Sequence, residues 1–357
     1  MESQCGAIDI ERFDEMALKK KLLDGIKFHG IERTSQFQKI VISPCVRGDN
    51  VIAQSHFGSG KSVSLAISAL QKVDTNINKC QILILTPTRK NTSKIHALIT
   101  SIGEFIHSHC LSVVAPAEKY DFNEELPQIL IGTPGRVLQI IESGLVTTNM
   151  IKLLCLNETY QLLSRGYSDL IKSISEKLSK DKQTILFTSV MQPEINDLSK
   201  EIIEDYLNAT RIVNETTCDI HQFFINAKNE EEKLKMLHEI CCESDDENRG
   251  IIFCSDSNGS ILTKELLGMN LNVAHLSQED EIILRKFIEG KIRFIITDSV
   301  DHFRNIPSLN SGKSFKIINF DIPNLYEIYP ERISVGHRVG IKRIVLNLTT
   351  DESLETL

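Results

Sequence analysis

The residues with the clearest chemical signal form a glycine-rich segment in the first part of the chain. Residues 58–62 read Gly-Ser-Gly-Lys-Ser and follow a short β-branched run that ends at Gln54. Glycines let backbone N–H groups turn toward phosphate oxygens, while Lys61 reaches those oxygens and the Ser62 hydroxyl can bind Mg²⁺. A helix that begins there would present its N-terminus to the same phosphates. The segment therefore predicts a nucleotide-binding phosphate loop, although the strict pattern has glycine at the position of Ser55.

The elements that must position this loop are short β-branched runs that alternate with longer amphipathic stretches. The stretches Val63–Val73 and Lys90–His107 have apolar residues at helical spacing and are long enough to cross between parallel strands. Strands are predicted at Asn50–Gln54, Gln81–Leu85, Gln128–Ile131, Leu153–Leu156 and Thr184–Phe187. This alternation predicts an α/β fold built on a doubly wound parallel sheet.

A second set of alternating segments begins after the polar stretch Val213–Asp219. Strands are predicted there at Gln222–Ile225, Gly250–Cys254, Asn272–His275, Arg293–Thr297 and Lys316–Asn319. A chain of 357 residues is long enough for two domains, at roughly 150 residues for each. We therefore expect a first domain over residues 1–213 and a second over residues 219–357, joined by a short linker.

The composition narrows the class of protein. The chain has 40 Lys+Arg against 48 Asp+Glu, a net charge of −8. The whole protein therefore does not attract nucleic acid electrostatically, and any nucleic-acid site must be a local part of the surface. A hydrophobic content of 41% is typical of a globular protein. No apolar run approaches the roughly 18 residues of a membrane span, so we expect an intracellular protein without a membrane partner. Nine scattered cysteines without a Cys-x-x-Cys pair predict reduced thiols and no disulfide-linked partner.

Three further fragments follow predicted strands in the same order as in a known family. They are Pro87-Thr88-Arg89, Thr133-Pro134-Gly135-Arg136 and Thr297-Asp298. With the phosphate loop, they resemble DEAD-box RNA helicases, most closely the translation initiation factor four-A group and its exon-junction relative. The resemblance extends from about Phe13 to Thr350. It implies two RecA-like domains that close on ATP and Mg²⁺ at a shared cleft, while single-stranded RNA is held through its backbone.

The resemblance also implies a role for individual residues. The residues expected at ATP are Arg33, Gln38, Phe57, Gly58, Ser59, Gly60, Lys61, Ser62 and Asn305. Those expected at RNA are Pro87, Thr88, Arg89, Thr133, Gly135, Arg136 and Thr297. Lys61, Glu158 and Arg338 are the expected catalytic residues, and Ser62, Asn157 and Glu158 the expected Mg²⁺ ligands.

Several positions depart from the family pattern. The box that should read Asp-Glu-Ala-Asp stands as Asn157-Glu-Thr-Tyr160, which removes one carboxylate beside the cation but keeps Glu158. In the family, the last Asp of that box couples through a Ser-Ala-Thr motif to a histidine of the second domain, which links the ATP site to domain closure. Here these positions are Tyr160, Thr188-Ser189-Val190 and Glu331, so all three partners are altered. In the second domain, Val335 replaces one of two arginines expected at the γ-phosphate. Phe303 replaces a glycine near the expected RNA path.

Three functions stay open at the level of sequence. The first is an ATP-dependent RNA helicase with weak hydrolysis, and the second is a catalytically inactive pseudo-helicase that binds RNA or a partner. The third is an unrelated phosphate-loop NTPase, which would require the order of the RNA-side fragments to be a coincidence. Members of the resembled family often dock on helical-repeat scaffolds, so a scaffold of the initiation or exon-junction machinery is an expected partner.

Overall fold

The computed structural model describes residues 11–31, 33–56, 58–115, 126–214, 220–242, 249–277, 280–303, 315–323, 328–333, 335 and 343–350. The chain divides into two compact units, 1–216 and 217–357. Every described strand pairing in both units is parallel. The predicted fold class, two parallel-sheet α/β domains, is confirmed.

The first unit has a seven-stranded sheet in the order β3-β4-β2-β5-β6-β1-β7. Its strands are β1 (Val51–Ser55), β2 (Ile82–Leu85), β3 (Cys110–Val113), β4 (Ile129–Gly132), β5 (Leu153–Leu156), β6 (Gln183–Thr188) and β7 (Thr210–Asn214). Its helices are α1 (Lys20–Phe28), α2 (Gln36–Arg47), α3 (Lys61–Lys72), α4 (Arg89–Ile102), α5 (Pro134–Glu142), α6 (Thr159–Ser164), α7 (Ser168–Glu176) and α8 (Pro193–Ile202).

The central strands of this sheet are buried on both faces. Successive residues of β2 enter two different core clusters, Ile82 and Ile84 on one face and Leu83 and Leu85 on the other. Because side chains alternate across a strand and helices cover both faces, strands such as β2 and β5 are apolar at every position. This explains why the sequence shows them as continuous apolar runs.

The second unit has a six-stranded sheet in the order β10-β11-β9-β12-β13-β8. Its strands are β8 (Ile220–Ala227), β9 (Arg249–Phe253), β10 (Val273–His275), β11 (Phe294–Thr297), β12 (Phe315–Asn319) and β13 (Arg343–Thr350). Its helices are α9 (Glu230–Cys242), α10 (Asp256–Gly268), α11 (Glu281–Ile288) and α12 (Ile328–Ile333). Core residues again divide between the two faces of the sheet, with Ile252 in one cluster and Ile251 in the other.

Three strands are absent from the sequence-based prediction: β3, β7 and β13. β3 and β7 are edge strands of the first sheet and carry several half-exposed or exposed residues. Their sequences therefore lack the continuous apolar run that marks a central strand. The predicted helix over Lys90–His107 ends at Ile102, and Gly103 follows it. Within the described ranges, no helix is both long and apolar enough to cross a membrane.

Candidate nucleotide and nucleic-acid site

The glycine-rich segment connects β1 to α3, as predicted, and its glycines adopt backbone conformations that other residues avoid. Gly58 has a φ of 78° and Gly60, which caps α3, has a φ of 98°. A Cβ atom at Gly60 would lie 2.5 Å from the side-chain nitrogen of Gln38. Glycine is therefore required at position 60 both for its left-handed conformation and for the close approach of Gln38. Phe57 lies outside the described residues.

Lys61 is the first residue of α3, and its ammonium group is buried inside the loop. Nζ donates to the carbonyl oxygens of Ser55 at 2.7 Å and His56 at 3.0 Å, and lies 3.6 Å from Oε1 of Glu158. Burial lowers the pKa of Lys61, and the Glu158 carboxylate opposes that shift. The lysine thus holds the loop backbone and a carboxylate together at the place where phosphates would bind.

Asn157 and Glu158 follow the carboxyl end of β5 and are both buried. The backbone N–H of Asn157 donates to the Leu85 carbonyl oxygen at 3.0 Å, which fixes it beside the end of β2. Glu158 adopts a left-handed conformation, with φ 53° and ψ 58°. For a non-glycine residue this conformation costs about 1–3 kcal/mol and persists only where the surroundings impose it. Among the described residues, Asn157 Oδ1 and Glu158 Oε2 have no hydrogen-bond partner.

The three predicted Mg²⁺ ligands carry less negative charge than the ligands of a site that binds a divalent cation strongly. Ser62 supplies a neutral hydroxyl, Asn157 a neutral amide and Glu158 the one carboxylate, which already pairs with Lys61. Mg²⁺ binds in proteins through one or two carboxylates together with substrate phosphates and waters. These side chains can face an ion carried by nucleotide phosphates, but they do not fit a Mg²⁺ that the protein itself would hold.

Gln38 connects the helix before the phosphate loop to the loop itself. Ser35 and Gln38 form a capping box: Ser35 Oγ accepts from the Gln38 N–H, and Gln38 Oε1 accepts from the Ser35 N–H. The Ser35 hydroxyl also donates to the carbonyl oxygen of Ser59 at 2.5 Å. Gln38 is buried, whereas Arg33 is exposed. Gln38, one of the residues expected at ATP, therefore lies against the loop.

The predicted RNA-side residues of the first unit form two helix starts. Thr88 caps α4 by accepting from the Asn91 N–H at 3.1 Å, and Thr133 precedes α5. Leu85 and Gly132, the last residues of β2 and β4, pair directly in the sheet. The two helix N-termini therefore begin at neighbouring points of one edge. The remaining predicted residues in these two segments are Pro87, Arg89, Gly135 and Arg136.

All these groups lie at the carboxyl edge of the first sheet, where open α/β sheets bind ligands. The phosphate loop follows β1, Glu158 follows β5, and β6 lies between these two strands. At the end of β6, the Thr188 hydroxyl donates to the Val190 carbonyl oxygen at 2.7 Å, within its own motif. Tyr160 packs against a core cluster of the same unit.

In the second unit, two substituted positions lie inside the core. Val335 and Phe303 are 8% and 3% exposed and belong to the same apolar cluster as Ile317 and Val345. The sequence places Phe303 near the expected RNA path, and in the structure its ring packs in the core. The predicted RNA residue Thr297 is also buried, and its hydroxyl donates to the Leu276 carbonyl oxygen at 2.9 Å.

The sequence missed a charged network in the second unit. Asp321 lies 3.2 Å from the Lys233 ammonium, and its Oδ2 accepts from the Ser255 N–H at 2.8 Å. Arg332 donates to the Asp321 carbonyl oxygen at 2.6 Å and is 5% exposed. Burial raises the pKa of Asp321, but the Ser255 amide and Lys233 lower it overall. Asn305, Arg338 and the side chain of Glu331 lie outside the described residues.

Comparisons with known proteins assign the family. A model of the DEAD/DEAH box helicases matches residues 35–198. Eukaryotic initiation factor 4A of Drosophila melanogaster is 34% identical over 97% of this chain and 87% of its own length. The ATP-dependent RNA helicase eIF4A of Pyricularia oryzae is 31% identical over 98% of this chain and 89% of its own length.

Solved structures agree with the fold. A DEAD box protein from Methanococcus jannaschii has a TM-score of 0.73 at 24% identity, over 97% of this chain and 95% of that one. S. cerevisiae Dbp5 bound to RNA and ADP BeF3 has a TM-score of 0.66 at 23% identity, over 97% and 91%.

The chain has two parallel-sheet α/β domains and a phosphate loop beside a glutamate at a strand end. These features define a helicase-like class of nucleotide-binding proteins. The identity to initiation factor 4A over nearly the whole chain makes the assignment more specific. The chain belongs to the DEAD/DEAH box helicase family and is of the eIF4A type.

Proposed function

We propose that this protein binds ATP at the phosphate loop and single-stranded RNA through its backbone, and that it hydrolyses ATP weakly. The observation that carries the proposal is the buried Lys61 ammonium, which contacts the loop carbonyls and Glu158 at the carboxyl edge of the sheet. That arrangement places a cation, a helix N-terminus and a carboxylate around one point. In this proposal, residues 1–213 are the ATP-binding domain and residues 219–357 the second helicase domain.

Glu158 is the residue proposed to orient the attacking water. Its Oε1 lies near Lys61, whereas Oε2 has no hydrogen-bond partner among the described residues. Oε2 can therefore accept a hydrogen bond from a water whose oxygen attacks the γ-phosphorus. The bond to the bridging oxygen of ADP breaks, and the proton of the water leaves with phosphate or through the carboxylate. Glu158 has a left-handed backbone, and such strained conformations cluster at functional sites. This conformation is therefore consistent with the role proposed for Glu158.

Weak hydrolysis is proposed because each unit lacks a charged residue that the resembled family has at ATP. Asn157 replaces a carboxylate in the first unit, and Val335 replaces an arginine in the second. Loss of an arginine finger typically reduces turnover by about 10³- to 10⁵-fold, or roughly 4–7 kcal/mol of transition-state stabilisation. Tyr160 and the altered motif at residues 188–190 also replace groups that, in the resembled family, couple ATP binding to domain closure.

RNA binding is proposed through the two helix starts that follow β2 and β4. Backbone N–H groups at helix N-termini bind phosphates without a basic surface, so the net charge of −8 is compatible with this mode. Arg89 and Arg136 lie in the first turns of these helices and can add charge to the same face. Backbone contacts read no base sequence, so the proposed binding is sequence-independent.

The test is ATP hydrolysis by the full chain, measured with and without single-stranded RNA. Lys61→Ala serves as the background, because it removes the cation but leaves both RNA-side helix starts. The proposal expects a slow rate that requires Lys61 and rises with RNA. A rate equal to the Lys61→Ala background under both conditions would favour the second candidate.

The second candidate function is a pseudo-helicase that binds RNA or a partner without turnover. It is favoured by the burial of Val335 and Phe303. Both are motif positions of the second unit, and their side chains pack in its core. A helical-repeat scaffold of the initiation or exon-junction machinery is the proposed partner, in an intracellular setting. Pull-down with and without nucleotide distinguishes a scaffold that recognises the ATP-bound form from one that binds constitutively.

A further inference from the structure

The charges around the end of β5 set the electrostatic attraction or repulsion that a polyphosphate would meet in the first unit. Asn157 is 3% exposed, and its Oδ1 has no hydrogen-bond partner among the described residues. It is therefore a buried neutral acceptor at a position where the family pattern has a carboxylate. Glu158 supplies one negative charge there, and Lys61 offsets it at 3.6 Å.

In a site with two carboxylates, a bare polyphosphate meets repulsion that a bound dication relieves. Here one carboxylate is missing, and the other is paired with the lysine that would contact the phosphates. Interactions between charges a few ångströms apart are strong where water is excluded, so removing a single buried charge matters. Lys61 and the N-terminal amides of α3 remain as the groups that attract phosphate.

We propose that this protein binds adenine nucleotides almost independently of Mg²⁺, and that Asn157 is the residue that removes the metal dependence. This inference rests on the proposed binding of ATP at the phosphate loop. It concerns the coupling of nucleotide and metal, and it holds for a weak ATPase as well as for a pseudo-helicase.

The experiment titrates the full chain with a fluorescent ADP and a fluorescent non-hydrolysable ATP analogue, in MgCl₂ and in EDTA. For the wild-type chain we expect dissociation constants within ~3-fold of each other in the two conditions. Asn157→Asp should bind less tightly in EDTA and recover in MgCl₂, giving a ratio of ~10-fold or more. Asn157→Ala is the matched control, because it removes the amide without adding charge and should keep the wild-type ratio.

The outcomes separate this inference from the proposed function. Absence of nucleotide binding in both conditions, with no difference from Lys61→Ala, rejects the proposed ATP site itself. Wild-type binding that weakens ~10-fold or more in EDTA shows that the metal is required and overturns the inference. A folded Asn157→Asp variant with the wild-type ratio rejects the role given to Asn157. If that variant does not fold, the wild-type comparison still decides the metal dependence.

Discussion

The two units retain their helicase motifs to different degrees. In the first unit, Lys61 contacts the loop carbonyls and Glu158 at 2.7–3.6 Å, and Ser35, which forms a capping box with Gln38, donates to the Ser59 carbonyl oxygen at 2.5 Å. In the second unit, the substituted positions Val335 and Phe303 point into an apolar cluster. The difference shows that a motif segment can pack in the core after one of its polar or small residues is replaced, because core packing tolerates an apolar side chain.

The largest expected effect tests whether position 335 is now a core position. Val335→Arg places an unpaired charge among apolar side chains and should lower the free energy of unfolding by about 3–5 kcal/mol. Val335→Ala removes two methyl groups and should cost about 1.5 kcal/mol. Urea denaturation of the full chain, followed by a probe in the second unit, measures both. An arginine that is tolerated, and that raises ATP turnover, would show that the position still faces the nucleotide.

The next effect tests the retained site of the first unit. Lys61→Ala should weaken nucleotide binding by about 3 kcal/mol, or ~100-fold, because it removes charge-assisted hydrogen bonds to phosphate. Lys19→Ala is a control, since Lys19 is exposed and donates to the carbonyl oxygen of Val73, away from the loop. Calorimetric titration with ATP measures both variants. Equal affinity for wild-type and Lys61→Ala protein would remove the contrast between the two units.

A smaller effect concerns the charged network of the second unit. Because the pKa of Asp321 is lowered in the folded state, its contribution to stability is present above its usual value of 3.8. That contribution is lost as the pH falls through the lowered pKa. Asp321→Asn should reduce stability by about 2 kcal/mol at pH 7, because it leaves the buried Lys233 with a weaker partner.

Hydrogen exchange of β9 and β12 in the full chain, at pH 7 and at acidic pH, measures this contribution. The difference between wild-type and variant should shrink as the pH falls below about 4. A difference that stays constant through this range would show that the carboxylate charge of Asp321 adds nothing to the network.

The smallest effect tests the contact between Gln38 and the loop. Gly60→Ala and Gly144→Ala both place a side chain at positive φ, 98° and 73°. A Cβ at Gly60 would meet Gln38 at 2.5 Å, whereas one at Gly144 has no neighbour within 4 Å in the described part of the chain. We expect both to lose about 1 kcal/mol of stability from backbone strain, and Gly60→Ala to lose about 1 kcal/mol more.

Nucleotide affinity completes that comparison. Gly60→Ala should also bind ATP more weakly, because the shifted loop no longer directs its amides at phosphate, whereas Gly144→Ala should bind normally. Identical stability losses and identical affinities for the two variants would mean that Gln38 does not constrain the loop.

The sequence alone determined the elements whose signal is local. Continuous apolar runs identify central strands such as Leu153–Leu156, and glycines beside a lysine identify the phosphate loop, because backbone geometry restricts which residues fit. The half-exposed edge strand β3 escaped this reasoning because its residues carry no continuous apolar run. The order of the fragments also determined the family, which the comparisons then confirmed.

The tertiary structure decided where side chains point and what surrounds them. Nothing in the local sequence indicates that Lys61 donates to Ser55, that Glu158 is left-handed, or that Asp321 contacts Lys233 from 88 positions away. The same holds for Phe303, which the sequence places near the expected RNA path and whose ring packs in the core. A residue type limits the available chemistry, whereas burial, charge pairing and direction depend on distant segments that meet only when the chain folds.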